Sequence, residues 1–295
     1  MKKILFIFTA LYCCFFAVLA QAQTGTARYA SLDWTVAETL LALGVEPVAI
    51  GDVEAYEKWV AKPSLPPQII DLGLRHQPNL EQVAWLAKQD SQRPLIFINT
   101  PFYAMASAML KPFAQVEMVD FYQAGNAWQN IVTATQQVAN LVGRADYAEK
   151  LLANFDKQIA QLLPQAQPFI SRPIALVQFI DTRHLRIYAE NSLLGAVLNQ
   201  LGFRNAWQGE HNLWGFATIN ITQLSQLPQN VRLVVIKPYP ANVVQALSHN
   251  SLWQHLKLNE NTLVLPAIWT FGGIPSAQRF AQTLVQALQT GGEPW

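Results

Sequence analysis

The chain has 295 residues, 51% hydrophobic and only 13% charged, with a formal net charge of +1. That length holds two compact domains with full-sized cores. The low charge content argues against a disordered chain, and the near-zero net charge against a general nucleic-acid binder.

The chain opens on the one apolar run that approaches membrane-spanning length. Lys2 and Lys3 precede residues 4–19, which are apolar, and Ala20-Gln21-Ala22 supplies a small-x-small cleavage site. The pattern predicts a signal peptide over 1–22, export and cleavage near Ala22, with an uncleaved membrane anchor as the alternative. Both cysteines, Cys13 and Cys14, fall in that segment, so the exported chain has no disulfide, no thiolate metal site and no cysteine nucleophile. Neither lies in a small-residue lipoprotein setting, which points to a soluble protein of a bacterial periplasm.

Short apolar runs then alternate with helical spacing. Residues 28–34, 47–52, 68–73 and 94–100 read as strands, and 35–43 and 80–88 as helices, the latter with Asn79 as N-cap and Glu81 in its first turn. Between 125 and 163 no strand pattern appears. Ala148, Leu151, Leu152, Phe155, Ile159, Leu162 and Leu163 form one apolar stripe, punctuated by Gly143 and Pro164. This segment reads equally as an ordinary core helix or as a helix bridging two domains. A second α/β set follows, with strands at 173–180, 186–189, 231–237 and 262–269 and helices at 192–200, 243–256 and 276–288. The expected architecture is α/β: a lobe over 23–143, a long helix over 144–167 and a second lobe over 168–295, with a mainly parallel sheet.

The chemical motifs are mostly absent. The chain has no G-x-S-x-G elbow, phosphate-binding loop, G-x-G-x-x-G fingerprint or H-E-x-x-H, and its five histidines are scattered. Tryptophan is abundant: all nine lie beyond residue 22. Trp214 in Asn212-Leu213-Trp214-Gly215, and Trp269 in Ala267-Ile268-Trp269-Thr270-Phe271-Gly272-Gly273, suggest an aromatic-lined cleft. Core packing accounts for at least half of the nine, and Trp85, on the 80–88 helix, is expected among them.

Several segments carry a resemblance. Asp33-Trp34, Glu38-Thr39-Leu40-Leu41-Ala42-Leu43-Gly44 and Pro47 resemble the opening of periplasmic binding proteins for siderophores, haem and cobalamin. Asp71-Leu72-Gly73-Leu74-Arg75, Pro78-Asn79-Leu80-Glu81, Asp181-Thr182-Arg183-His184, Asn191-Ser192-Leu193 and the run 205–215 narrow it to iron(III)-hydroxamate siderophore binding proteins, as does Pro266-Ala267-Ile268-Trp269. The resemblance implies two α/β lobes joined by one long helix, with a ligand cleft between them. It implies a monomer that catalyses nothing, captures a ferric hydroxamate siderophore and delivers it to an inner-membrane ABC permease. No cofactor is expected, because the iron arrives already chelated.

By the same resemblance, Arg75 is the arginine that hydrogen-bonds the hydroxamate oxygens, a role suited to a permanently charged fork of donors. Tyr103 aligns with a phenol donating to the same oxygens. Trp59, Trp214 and Trp269 match aromatic wall positions, and Phe271 stands where a relative can carry tyrosine. Asn212 is either an amide contact or a turn-stabilising residue. Arg186 occupies a place where an apolar wall residue is expected; facing the cleft, it would favour a siderophore with a free carboxylate. Glu81 matches the first-lobe acid that docks on the permease, while Thr222 stands where the second-lobe acid is expected. The alternatives are the same fold binding cobalamin or haem, with Tyr103 as an axial ligand, and an exported hydrolase with an aromatic cleft.

Overall fold

A computed structural model of the chain describes residues 27–256 and 262–295. The expected signal peptide, with Cys13, Cys14 and Ala22, lies outside the described residues.

The first lobe is an all-parallel sheet of β1 (Arg28–Ser31), β2 (Ala49–Ile50), β3 (Ile70–Asp71), β4 (Leu95–Asn99) and β5 (Gln115–Met118), in the order β3-β2-β1-β4-β5. The helices α1 (Trp34–Ala42), α2 (Val53–Trp59), α3 (Leu80–Lys88) and α4 (Ala104–Leu110) connect the strands. Asp33 caps α1 by accepting from the Thr35 amide, and Asn79 caps α3 by accepting from that of Gln82, so polar side chains fix where both helices begin. On α3 the buried residues are Val83 and Leu86, three apart on one face. Trp85 lies off that face and is 52% exposed, which corrects its expected place in the core.

The helix α5 (Ala127–Leu141) leads into α6 (Ala145–Ala166), whose 22 residues span about 33 Å at 1.5 Å per residue. Ala148, Phe155, Ile159, Leu162 and Ala166 form its buried stripe, with the Trp128 ring 4.4 Å from that of Phe155. Pro164 lies inside this helix and does not end it. Pro164 and Ala160, four residues before it, are both exposed, so water can serve the carbonyl that loses its bond to a proline.

The second lobe is a mixed sheet in the order β10-β9-β6-β7-β8. Its strands are β6 (Ile174–Phe179), β7 (His184–Tyr188), β8 (Phe216–Asn220), β9 (Arg232–Ile236) and β10 (Thr262–Leu265). The strands β6, β9 and β10 are parallel, while β7 runs antiparallel to both β6 and β8. Its helices are α7 (Leu193–Gln200), α8 (Asn242–Ser248), α9 (Ser251–His255) and α10 (Ile274–Thr290). The expected single helix over 243–256 is two, because Asn250 caps a new one by accepting from the Trp253 amide.

One apolar cluster runs through both lobes. It joins Val36 and Leu40 of α1, Phe155 of α6, Leu176 of β6, Leu193 of α7 and Phe280 and Leu284 of α10. The long helix therefore lies along a shared core and is not a bare strut.

Candidate functional site

A cavity of about 260 Å³ lies between the lobes, lined by Asp33, Thr35, Arg75, Thr100, Phe102, Tyr103, Tyr122, Arg186, Trp214, Phe216, Trp269 and Phe271. Its first-lobe wall follows from the topology. The chain leaves β1 for β2 on one side, whereas β4 lies on the other, so a crevice opens at the carboxyl ends of β1 and β4. Asp33 follows β1 and Thr100 follows β4; the Thr100 hydroxyl donates to Asp33 Oδ2 across that crevice at 2.6 Å.

The Arg75 side chain is held from two directions. Its guanidinium carbon lies 3.5 Å above the centre of the Trp34 ring, and its Nη1 donates to Tyr103 Oη at 2.5 Å. The Trp34 indole N–H in turn donates to the Gly51 carbonyl at 2.9 Å, which fixes the platform. Gly51 also gives Arg75 its room, since a Cβ there would stand 2.9 Å from Arg75 Cγ and 3.2 Å from its Cα. Tyr103 accepts from Arg75, so its own O–H proton remains to be donated. Burial, and then the charge of Asp33, push that phenol well above its ordinary pKa and keep it a donor. Burial also raises the Asp33 carboxyl, against the lowering effects of the Thr100 and Thr35 hydrogen bonds and the Arg75 charge.

The second-lobe wall is aromatic. The Phe271 ring meets those of Trp269 at 5.3 Å, Phe216 at 5.6 Å and Tyr122 at 6.4 Å. The Trp269 indole N–H donates to Thr35 Oγ1 at 3.1 Å, and that hydroxyl donates to the Phe271 carbonyl at 2.6 Å, so a first-lobe threonine anchors two second-lobe rings. Trp214 meets Phe102 edge to face across the cleft at 5.9 Å. Arg186, on β7, lies with its guanidinium carbon 5.4 Å from the Phe216 ring and 5.6 Å from that of Phe271.

Six of the expected residues thus meet in one cavity: Arg75, Tyr103, Trp214, Trp269, Phe271 and Arg186. Two do not line it. Trp59 ends α2 and packs on the cluster of Trp34, Ile50 and Tyr56 instead. The Asn212 side chain accepts from the amides of Trp214 and Phe216, so it is the turn-stabilising residue of its two readings. Glu81 is exposed in the first turn of α3. At Thr222 both the amide and the hydroxyl donate to Asn220 Oδ1, in a capped turn.

Sequence reasoning missed Phe102, Tyr122, Phe216 and the Asp33–Thr35–Thr100 group as cleft residues. Asp33, Thr35, Thr100 and Phe102 sit just past the carboxyl ends of β1 and β4, and that position was the available signal. A second hollow of about 720 Å³, lined among others by Asn126, Glu190 and His211, has among the described residues no arginine and only one aromatic ring other than histidine. Among the described residues no group of three or more His, Asp and Glu side chains could hold a metal ion, and no helix is long and apolar enough to cross a membrane.

The comparisons with known proteins agree with this architecture. The iron(3+)-hydroxamate-binding protein FhuD of Escherichia coli (strain K12) is 30% identical over 263 residues, covering 88% of this chain and 86% of that one. The achromobactin-binding periplasmic protein of Dickeya dadantii (strain 3937) is 25% identical over 275 residues, covering 86% and 84%. The structure of the siderophore binding protein FhuD from Vibrio cholerae, bound to Fe3+-Desferal, superposes with a TM-score of 0.82 at 22% identity, over 91% of this chain and 100% of that one. The family described as periplasmic binding protein matches residues 30–264, and the chain belongs to it.

Proposed function

We propose that this protein is a periplasmic receptor that takes up ferric hydroxamate siderophores in the interlobe cleft and passes them to an inner-membrane ABC permease. The observation that carries the reading is the Arg75–Tyr103 pair, a charged fork and a phenol placed side by side, with the fork seated on Trp34. Iron(III) hydroxamates present carbonyl and oxyanion oxygens around the metal, and convergent charged and neutral donors suit them. Trp214, Trp269 and Phe271 offer flat apolar surface to the rest of the chelate. The iron is cargo that arrives inside its chelator, so the protein needs to supply no metal ligand.

The name of one relative, an iron(3+)-hydroxamate-binding protein, supports this reading, and that of another, an achromobactin-binding periplasmic protein, supports its coarser part, a periplasmic binding role. Export through a cleaved signal over 1–22, a monomeric state and docking through Glu81 belong to the same proposal. Haem is the less suitable ligand, because burial and the Asp33 charge disfavour the ionised phenol that would serve as its axial donor.

The test is a tryptophan-fluorescence titration of the exported form with ferrichrome and ferrioxamine B, with cobalamin and haem as controls and correction for ligand absorbance. Saturable quenching by a ferric hydroxamate at micromolar concentration or below, about −8 kcal/mol or stronger, is the expected result. Saturation by haem or cobalamin alone would move the ligand, and no response from any of them would remove the cleft from the proposal.

A further inference from the structure

Each lobe contributes one arginine to the cleft, Arg75 from the first and Arg186 from the second. Among the described residues neither lies within ion-pair distance of a carboxylate. The residues paired with Arg186 across the sheet are Gln178 on β6 and Thr218 on β8, both uncharged, and its guanidinium is flanked by the Phe216 and Phe271 rings. Among the described residues Asp33 is the one acid lining the cavity. Its Oδ1 accepts from the Thr35 amide and its Oδ2 from the Thr100 hydroxyl, so it is committed within the first lobe.

This arrangement holds more positive charge than the proposed cargo class requires. Three hydroxamate monoanions around iron(III) give a neutral complex, for which hydrogen-bond donors suffice. A second guanidinium, partly exposed beside two aromatic rings and with no carboxylate within ion-pair distance among the described residues, leaves its charge to be balanced by what the cleft binds. We infer that Arg186 is a specificity-determining residue that selects ferric chelates carrying surplus negative charge, of the hydroxamate class with free carboxylates, and that it pairs with such a carboxylate through its planar fork. The inference rests on the siderophore reading above and names the charge class of the ligand within it.

The experiment titrates the wild-type protein and the variants Arg186→Leu, Arg186→Gln and Arg186→Lys with three ferric chelates of different charge. These are ferrichrome, which is neutral, ferrioxamine B, which carries a free ammonium, and ferric aerobactin, which carries free carboxylates. The wild type is expected to bind the carboxylate-bearing chelate most tightly, with an affinity that weakens as salt is added. Arg186→Leu and Arg186→Gln are expected to weaken that chelate roughly 10- to 100-fold, and at least about 5-fold more than they weaken ferrichrome, with Arg186→Lys in between. Equal weakening of all three chelates would make Arg186 a structural support of the aromatic wall and overturn the inference. Tighter wild-type binding of ferrichrome than of the anionic chelate would also overturn it while leaving the siderophore reading intact. If none of the three bound, both would fall.

Discussion

Glu38, on the first helix of the first lobe, accepts a hydrogen bond from the Ser276 hydroxyl of the second lobe at 2.6 Å, and its other oxygen accepts from the Gly273 amide. Glu38 is fully buried, and Gly272 lacks a side chain where a Cβ would stand 2.5 Å from Glu38 Oε1. Arg279 adds a second crossing, donating to the carbonyls of Val60 and Lys62 in the first lobe and Ala267 in the second. The lobes are thus tied by directed bonds, with the buried Glu38 at their centre.

Burial raises the Glu38 carboxyl from 4.5 to about 7, against the lowering effect of its bonds to Ser276 and Gly273. The folded chain then holds this proton more tightly than the unfolded one between those two values. Its contribution is therefore fully present below pH 4.5 and is lost as pH rises through about 7, by roughly 3 kcal/mol in all. Glu38→Gln should flatten that slope, and urea unfolding at pH 5.5 and pH 8 would reveal it. Glu38→Ala should cost about 2–3 kcal/mol, because two buried donors lose their acceptor.

Arg75→Ala should weaken ferric hydroxamate binding by about 1.5–3 kcal/mol, the range for hydrogen bonds to a charged group. Arg75→Lys should recover little of it, since an ammonium is not a planar fork that lies flat on Trp34. The dissociation constants of both variants decide the matter, and an unchanged value would take Arg75 out of the site.

Gly51→Ala tests the placement of Arg75 without removing a binding group. The new methyl would press on Arg75 Cγ at 2.9 Å and on its Cα at 3.2 Å, so the guanidinium must shift off Trp34. A loss of affinity is expected with a destabilisation of about 1–3 kcal/mol, the usual cost of overpacking. Titration and thermal unfolding of the same preparation would separate the two effects.

Domain closure on ligand should be small. The Glu38–Ser276 and Thr35–Phe271 bonds, the Arg279 crossings and the continuous core through α6 and α10 all resist hinge bending. X-ray scattering with and without a bound chelate should give nearly the same radius of gyration, and a strong contraction would contradict this.

Glu81 is exposed at the start of α3 and lines no part of the cavity. Glu81→Lys should therefore leave the chelate dissociation constant unchanged while slowing siderophore-dependent iron uptake by cells. Equal uptake by the variant and the wild type would remove Glu81 from permease docking.

The elements most legible in the sequence are those whose own residues carry the pattern. The helix α3 has its expected bounds, and the stripe from Ala148 to Leu162 marks α6. The strand β5 was invisible because its residues run exposed, intermediate, intermediate, exposed, with no buried face to alternate. Within the site, Arg75 and the rings around Trp269 were readable from motifs. Tyr122 was not, because it becomes a cleft residue only when β5 is laid beside β4. Trp59 misled for the complementary reason: its ring packs into the cluster that supports Trp34 and so stays off the cleft surface.

The bonds that tie the lobes join positions very far apart along the chain: Thr35 and Phe271 are separated by 236 residues, and Glu38 and Ser276 by 238. Contacts of such long range form late, after the entropy of closing the intervening loop has been overcome. The aromatic wall anchored by Thr35 therefore depends on segments from both lobes at once. A chain that ends before Ser276 lacks the Glu38 clasp and the α10 side chains of the shared core, so the two lobes lose their mutual registration.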